Sequence, residues 1–328
     1  MTQILKRAAF IIALVSVTAV AGVNAASSGG IAAARSKLTI IAPAAPGGGF
    51  DSFSRELQNI MKSNAISNNV QVVNIPGAGG TIGLSKFLTM TDREDLLLTT
   101  GSAMVGAISL TGAERNPMLD TVPIAKLSND YSSLSVPSDS PFQTLADFIT
   151  AFTANPKGTS IAGGSLGSIG HLMMAELAIA SGVAATELNF IAYPGGGRAL
   201  NALLSKTTDV LVSNVTDIRD QVEAGNLRIL AVSSANRLSE VDAPTFTEQG
   251  IPVVMSNWRG LLAPPGTSET TRAELLKMIE ESLKTEQWQS ALSRYEWDED
   301  FLSGAAFEAF ITEEFARTDL LVRELGLR

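Results

Sequence analysis

Short β-branched and aliphatic runs alternate along this chain with amphipathic segments, and four of the junctions between them are turns dense in glycine and serine. That alternation is the mark of βαβ units, in which parallel strands are joined through a returning helix. Residues 38–41, 71–74, 96–99, 188–192, 209–212 and 227–232 read as strands. Between them, apolar residues recur at helical spacing: Phe53, Leu57, Ile60 and Met61 after Asp51; Leu84, Phe87 and Leu88; Ala199, Leu200, Leu203 and Leu204; and Phe307, Phe310, Ile311 and Phe315 near the end. The pattern predicts an α/β fold with parallel-rich sheets flanked by helices. No internal repeat of fixed period is visible, so the fold is not expected to be a solenoid.

Composition removes several function classes. Lys and Arg total 24 against 33 Asp and Glu, and the body of the chain has no basic run to follow a phosphate backbone, so nucleic acid is not an expected partner. There is no cysteine, and His171 is the only histidine. Disulfides, thiolate nucleophiles and Cys/His metal clusters are therefore excluded, and no metal is expected. At 328 residues the chain is long enough to hold itself together by packing alone.

The first residues read as an address. Lys6 and Arg7 precede an apolar stretch from Ala8 to Val23, and Val23-Asn24-Ala25 has the small residues a signal peptidase requires. Residues 1–25 are predicted to be a secretory signal peptide and residues 26–36 a flexible stub. A membrane anchor is the competing reading, because the apolar run is only slightly short of the roughly 20 residues needed to span. Cleavage near Ala25 takes the formal charge from −9 to −11, since two positive charges leave with the peptide. Without a cysteine at the cleavage site the product is not a lipoprotein, and a periplasmic location is expected.

The four turns carry the functional information. The first, residues 43–52, holds Gly47, Gly48, Gly49, Phe50, Asp51 and Ser52. Its glycines let a ligand approach the backbone, and the following helix start supplies N–H groups suited to a carboxylate or phosphate. Asp51 reads equally as an N-cap paired with Arg55 one turn on. The second turn, residues 74–83, fails as a dinucleotide fingerprint because Ile82 stands where the last glycine belongs, and no P-loop occurs anywhere, so no cofactor is expected. The third, residues 163–171, contains Gly163-Gly164-Ser165-Leu166-Gly167. This matches the nucleophile-elbow pattern of serine hydrolases, but His171 is the only available base and lies six residues downstream on the same segment. As a binding turn, Ser165, Gly167 and Ser168 offer hydroxyls and N–H groups, with His171 either a pocket contact or a packed core residue. In the fourth, residues 193–198, Arg198 reads as a ligand counter-ion or as a solvated side chain.

In order, these segments resemble the Bug/TctC family, the periplasmic substrate-binding components of tripartite tricarboxylate transporters. Pro43, Pro46, Gly47, Gly48, Asp51 and Arg55 match that family's first signature; Asn74 to Gly83 is similar to its glycine-rich segment; Gly167, Ser168 and His171 to its third turn; and Tyr193 to Ala199 with Asp209 to its fourth. Residues 228–233, Pro244-Thr245-Phe246 and Trp258-Arg259-Gly260-Leu261 complete the order. The resemblance implies two α/β domains joined by crossing strands, residues 37–131 with 234–328 and residues 132–233, with a ligand cleft between them. It further implies a ligand carboxylate held by backbone N–H groups, small hydroxyls and waters. Gly47, Gly48, Gly49, Phe50, Asp51 and Ser52 are then expected on one wall, Ser165, Gly167, Ser168 and His171 on the other, Ser102 after the third strand, and Asp209 orienting a ligand or loop.

Phe50 is larger than the residue common at that point of the family, and Pro194 replaces a common lysine or arginine, so the ligand need not be citrate. The resulting expectation is a monomeric, non-enzymatic solute-binding protein that captures a di- or tricarboxylate or related organic acid and delivers it to a membrane permease. Two alternatives remain at this point: a secreted hydrolase using Ser165, and a sensory module that presents ligand to a receptor.

Overall fold

The computed structural model describes residues 34–328 apart from Asp92 and Glu240; the expected signal peptide and the stub as far as residue 33 lie outside the described residues. The end of the expected flexible stub is anchored. Ala34 is buried and its carbonyl accepts from the Ser67 hydroxyl at 3.0 Å, while the Arg35 guanidinium is gripped by Glu274 and Glu281.

The chain builds two βαβαβ units of the same design. In the first, β1 (Leu38–Ala42), α1 (Gly49–Ser63), β2 (Val70–Asn74), α2 (Thr81–Phe87) and β3 (Leu96–Gly101) place β1 between two parallel partners, and α3 (Ser102–Leu110) follows. In the second, β5 (Ser160–Gly163), α5 (Ile169–Ala180), β6 (Asn189–Ala192), α6 (Gly196–Leu204) and β7 (Val210–Asn214) place β5 between two parallel partners, and α7 (Val215–Glu223) follows. The repeat is topological, with no trace in the residues.

Between the units runs β4 (Val122–Pro137), 16 residues long. Its first half pairs antiparallel with β9 (Ser256–Ala263) and β10 (Asp298–Ser303), and its second half with β7 and β8 (Leu227–Val232). The exchange falls between Tyr131, opposite Ser256, and Ser132, opposite Asn214. The result is one curled sheet in the order β2-β1-β3-β9-β4-β7-β5-β6, with β8 and β10 added on β4. The expected α/β fold with helix-flanked sheets is present. The sheet is mixed, with parallel pairs in the two outer parts and antiparallel pairs wherever β4 or β9 takes part. These two strands and β5 and β10 escape a reading based on β-branched runs. The middle of β4 buries Ser128, Asn129, Asp130, Ser132, Ser133 and Ser135 beside only two aliphatic side chains, Leu127 and Leu134.

Helices cover both faces of each part. Under α1 lie Phe53, Leu57, Ile60 and Met61, joined by Trp288 of α9 (Glu286–Tyr295) and by Met278 and Ile279 of α8 (Glu269–Leu283). The opposite face is filled by Phe87, Met104, Val105, Trp258 and the Phe307 and Ile311 stripe of α10 (Gly304–Glu324). In the second part, α5 packs Leu172, Met173 and Leu177 against Phe148 and Phe152 of α4 (Leu145–Ala154), and α6 closes the other face through Ala199 and Leu203. Phe246, Val253 and Met255, and Leu321 and Val322 near the end of α10, also pack into this second core. The chain between β8 and β9, and the last helix, therefore tie the two parts together.

Phe53 meets Trp288 edge-on with ring centroids 6.5 Å apart and lies 5.5 Å from Trp297. Phe53→Ala removes that aromatic junction from a fully buried site, and chemical denaturation is expected to register a loss of about 3–5 kcal/mol.

Candidate functional site

Each parallel triplet starts at its central strand, moves outward, and then crosses back to the other side. The carboxyl ends of β1 and β3, and of β5 and β7, are therefore where successive loops turn in opposite directions and leave a crevice. The two crevices face each other. A cavity of about 590 Å3 lies between them, lined by Ser102, Ala107 and Leu110 from one side and by Ser165, Gly167, Ser168 and Asn214 from the other. An adjoining space of about 330 Å3 shares Ala78, Gly79, Ala103 and Asn257 with it and reaches Gly49, Phe50 and Arg259. A third, of about 310 Å3, continues past Gly47, Gly49 and Ser52 to Asp130 and Trp297.

The two walls use the same loop. In the first turn Gly48 N–H donates to the Ala45 carbonyl, Gly47 has φ +82°, and Ser52 N–H returns to the Gly48 carbonyl. In the third, Ser168 N–H donates to the Ser165 carbonyl, Gly167 has φ +75°, and Leu172 N–H returns to the Ser168 carbonyl. The left-handed residue is glycine in both cases, because a Cβ there is strained. At Gly167 a Cβ would in addition lie 2.7 Å from Leu110 Cδ1 of the opposite wall. Each glycine N–H is then taken by the side chain four residues on: Gly47 donates to Asp51 Oδ2 at 2.8 Å, and Gly167 to His171 Nδ1 at 3.0 Å. The N-cap residues, Gly48 and Ser168, are both extended and make no side-chain cap. The first N–H groups of α1 and α5 are thus left open, and the Ser168 hydroxyl has no partner among the described residues.

Asp51 is consequently the third residue of α1 rather than its N-cap. Besides Gly47 it accepts from Arg55 Nε at 2.9 Å and from Asn74 Nδ2 at 2.7 Å, which ties the first turn to β2. Burial opposes its charge, but the Arg55, Gly47 and Asn74 hydrogen bonds outweigh burial and lower its pKa to about 2. His171 is buried and stacked 4.2 Å from Phe190, and burial lowers its pKa to about 4. It is neutral at physiological pH with Nδ1 as acceptor, which assigns the ring proton to Nε2. Both residues hold their loops from behind. No hydrogen bond joins His171 to Ser165, so the elbow lacks the base a hydrolase needs.

Gly47, Gly49, Phe50, Ser52, Ser102, Ser165, Gly167 and Ser168 are brought to the connected cavities. The Ser102 hydroxyl donates to Asn257 Oδ1 at 2.6 Å and so orients that amide. Asp209 is not brought there. It precedes β7 at the amino end, where it accepts from the Ser160 N–H at 2.8 Å and hydroxyl at 2.6 Å, the length of the strand away from the cleft. Arg198 is exposed and lines none of these cavities, and the Asp217 carboxylate lies against Gly196 at the start of α6.

Sequence reasoning missed Asn214, Asn257, Arg259 and the lining role of Ala78 and Gly79. Asn214 and Asn257 sit at strand ends without glycine-rich surroundings. The second turn did carry a signal, since its glycines are as dense as those of the first. Among the described residues there is no group of side chains that could hold a metal ion and no helix long and apolar enough to cross a membrane.

A two-part α/β body with a cleft walled by paired helix starts defines a solute-binding protein of the periplasmic-binding type. Residues 53–327 match the tripartite tricarboxylate transporter family receptor, TctC, and the chain belongs to that family. The protein BugT of Bordetella pertussis is 29% identical, covering 94% of this chain and 95% of that protein. The crystal structure of a TctC solute-binding protein from Polaromonas superposes with a TM-score of 0.75 at 25% identity, over 88% of this chain and 98% of that one. MatC of Rhodopseudomonas palustris, solved with bound malate, shares the fold with a TM-score of 0.67 at 21% identity, over 87% and 98%. The family consists of periplasmic solute-binding receptors, so this chain is a receptor and not a hydrolase.

The two loop brackets titrate in different windows. His171 ionises at about 4 in the fold against an ordinary 6.5, so its neutral form favours the native state fully above pH 6.5 and the advantage is lost as pH falls toward 4. The span corresponds to about 3 kcal/mol. The Asp51 contribution is lost lower, as pH falls from 3.8 toward 2. Half-buried Glu176 and Glu314, whose pKa values are raised chiefly by burial, act in the opposite direction. The readout is therefore the difference in urea stability between wild type and His171→Gln. That difference is expected to shrink steadily from pH 7 to pH 4.5.

Proposed function

We propose that this receptor captures a small carboxylate, a di- or tricarboxylate or related organic acid, in the cleft between its two parts and hands it to a tripartite tricarboxylate-type permease. The observation that carries the reading is the duplicated loop. Two helix starts on opposite walls border connected cavities, α5 the larger one and α1 the two beside it, with their first N–H groups open, and one wall adds the free hydroxyl of Ser168. Such an arrangement receives an anionic oxygen through main-chain N–H groups and a hydroxyl, which is how a chain of net charge −9 can bind an acid. The malate held by MatC, a protein of the same fold, supports a carboxylate as the ligand class.

Closure is a hinge motion about β4, where its partners change between Tyr131 and Ser132, and is driven by contacts the ligand makes with both walls at once. The protein acts as a monomer, exported through a cleaved signal peptide without lipid attachment. Delivery to a permease is favoured over presentation to a sensor by membership of a transporter receptor family.

The test is a thermal-shift and calorimetric titration of residues 26–328 with mono-, di- and tricarboxylates, aromatic acids and amino acids, with phosphate and sulfate as controls. A ligand at about 100 times its Kd stabilises the native state by roughly 2.7 kcal/mol, a shift of several degrees. Ser168→Ala removes a hydroxyl bonded to a charged group and is expected to weaken binding about 10- to 100-fold. A panel without any saturable carboxylate shift, in protein shown by mass spectrometry to carry no ligand, would refute the reading.

A further inference from the structure

Arg259 is the buried guanidinium at the floor of the cleft. It stands on β9 with 8% of its surface exposed and borders both cavities on the side of the first turn. Nη1 donates to Asp130 Oδ2 at 2.7 Å, and the guanidinium carbon lies 5.2 Å from the centre of the Trp297 ring. These contacts fix its plane. Nε and Nη2 have no hydrogen-bond partner among the described residues, and neither nitrogen is sealed from the cavity. Both point toward the start of α1: a Cβ on Gly49 would lie 3.4 Å from Nη2 and 4.0 Å from Nε.

Nε and Nη2 form the edge of a guanidinium that takes both oxygens of a carboxylate side-on. That edge lies beside the open N–H groups of a 15-residue helix, so a rigid fork and a helix N-terminus converge on one spot. Donors this deeply placed require an acceptor, and none of the described residues supplies one. Glycine at position 49 keeps the space between fork and helix clear. The open N–H groups of α5 and the Ser168 hydroxyl belong to the opposite wall and serve a separate anionic group.

We infer that Arg259 is a specificity-determining residue that clamps a second ligand carboxylate, making this receptor selective for dicarboxylates over monocarboxylates of the same chain length. The inference rests on the reading of the cleft as a carboxylate site. One carboxylate sits at the third turn against Ser168 and the start of α5, the other on the Arg259 fork beside Gly49, and the carbon chain passes Ala103 and Asn257 where the two cavities join. Asp130 neutralises Arg259 from the far edge and fixes the direction in which the fork points.

The experiment is calorimetry with chain-matched pairs: succinate against butyrate, glutarate against valerate, adipate against hexanoate. Wild type is expected to prefer the dicarboxylate of its best pair by at least about 100-fold. Two variants separate clamping from structural support. Arg259→Lys keeps a positive partner for Asp130 but loses the two-pronged edge. The double variant Arg259→Gln with Asp130→Asn leaves no unpaired buried charge. Each folded variant is expected to lose about 10- to 100-fold in dicarboxylate affinity while monocarboxylate affinity stays within about 2-fold, so that the preference collapses. Equal wild-type affinity for both members of every pair would overturn the clamp and leave the carboxylate reading standing. The clamp is overturned in the same way if a folded variant keeps the dicarboxylate preference, or loses both ligand types equally. A wild type that binds neither series would overturn the clamp together with the function it rests on.

Discussion

A backbone N–H at a left-handed glycine, taken by a side chain four residues further on, shapes both walls of the cleft. Gly47 to Asp51 and Gly167 to His171 are the same bond in the same loop, with a carboxylate as acceptor in one and an imidazole in the other. The acceptor satisfies a donor outside the helix, so the N-terminal N–H groups of α1 and α5 are not consumed by capping and remain open toward the cavity. A serine or aspartate cap would have closed them. The fourth turn, at the start of α6, borders none of the cleft cavities.

The electrostatics of the cleft follow from what backs each loop. His171 is neutral because burial favours the uncharged ring, and Asp51 is ionised because three donors converge on it. Neither presents charge to the ligand. In the proposed function, fixed main-chain dipoles do the attracting, supplemented by one guanidinium whose position is set by Asp130 and Trp297. Preorganised donors of this kind lose little freedom on binding, and that spares part of the ordering cost of association.

Strand β4 connects the two halves that carry this chemistry. It is common to both halves of the sheet, and its buried centre is a run of serines with Asn129 and Asp130. Some of these groups are held by specific hydrogen bonds: Ser133 to Ser135 at 3.0 Å, and the Ser132 N–H to the Ser233 hydroxyl at 3.0 Å. A seam built from small polar groups has less interlocking bulk than the aliphatic cores on either side, and there the strand changes partners. Asp130 lies in this seam, so the residue that aims Arg259 sits next to the point at which β4 changes partners.

Much of the architecture was legible in the residues. The periodic apolar positions of α1, α6 and α10 pointed to helices, the aliphatic runs of β1, β3 and β8 to strands, and the dense glycines of the first and third turns to the walls of the site. Local chemistry is sufficient for these features, because backbone freedom and apolar periodicity are properties of neighbouring residues. The family resemblance rested on the order of the same turns. β4, β9 and β10 were hidden because polar residues become buried strand residues only when other strands arrive to pair with them. Asp209, expected to orient a ligand or loop, pairs with Ser160 away from the cleft, because it stands at the amino end of β7 while the cleft opens at the carboxyl ends of the strands. Asp51 and His171 have the spacing of ligand contacts, and the fold turns them inward as acceptors. Arg259 was legible only as part of the Trp258–Leu261 family match and carried no ligand role there, since its meaning depends on Asp130, Trp297 and Gly49, which are 129, 38 and 210 positions away in the chain. The sequence alone therefore determined which segments could form open, flexible helix starts. Only the tertiary structure decided which of those starts face one another, which charges are spent inside the protein, and which guanidinium edge is left for a ligand, because each of these is a relation between residues brought together from distant parts of the chain.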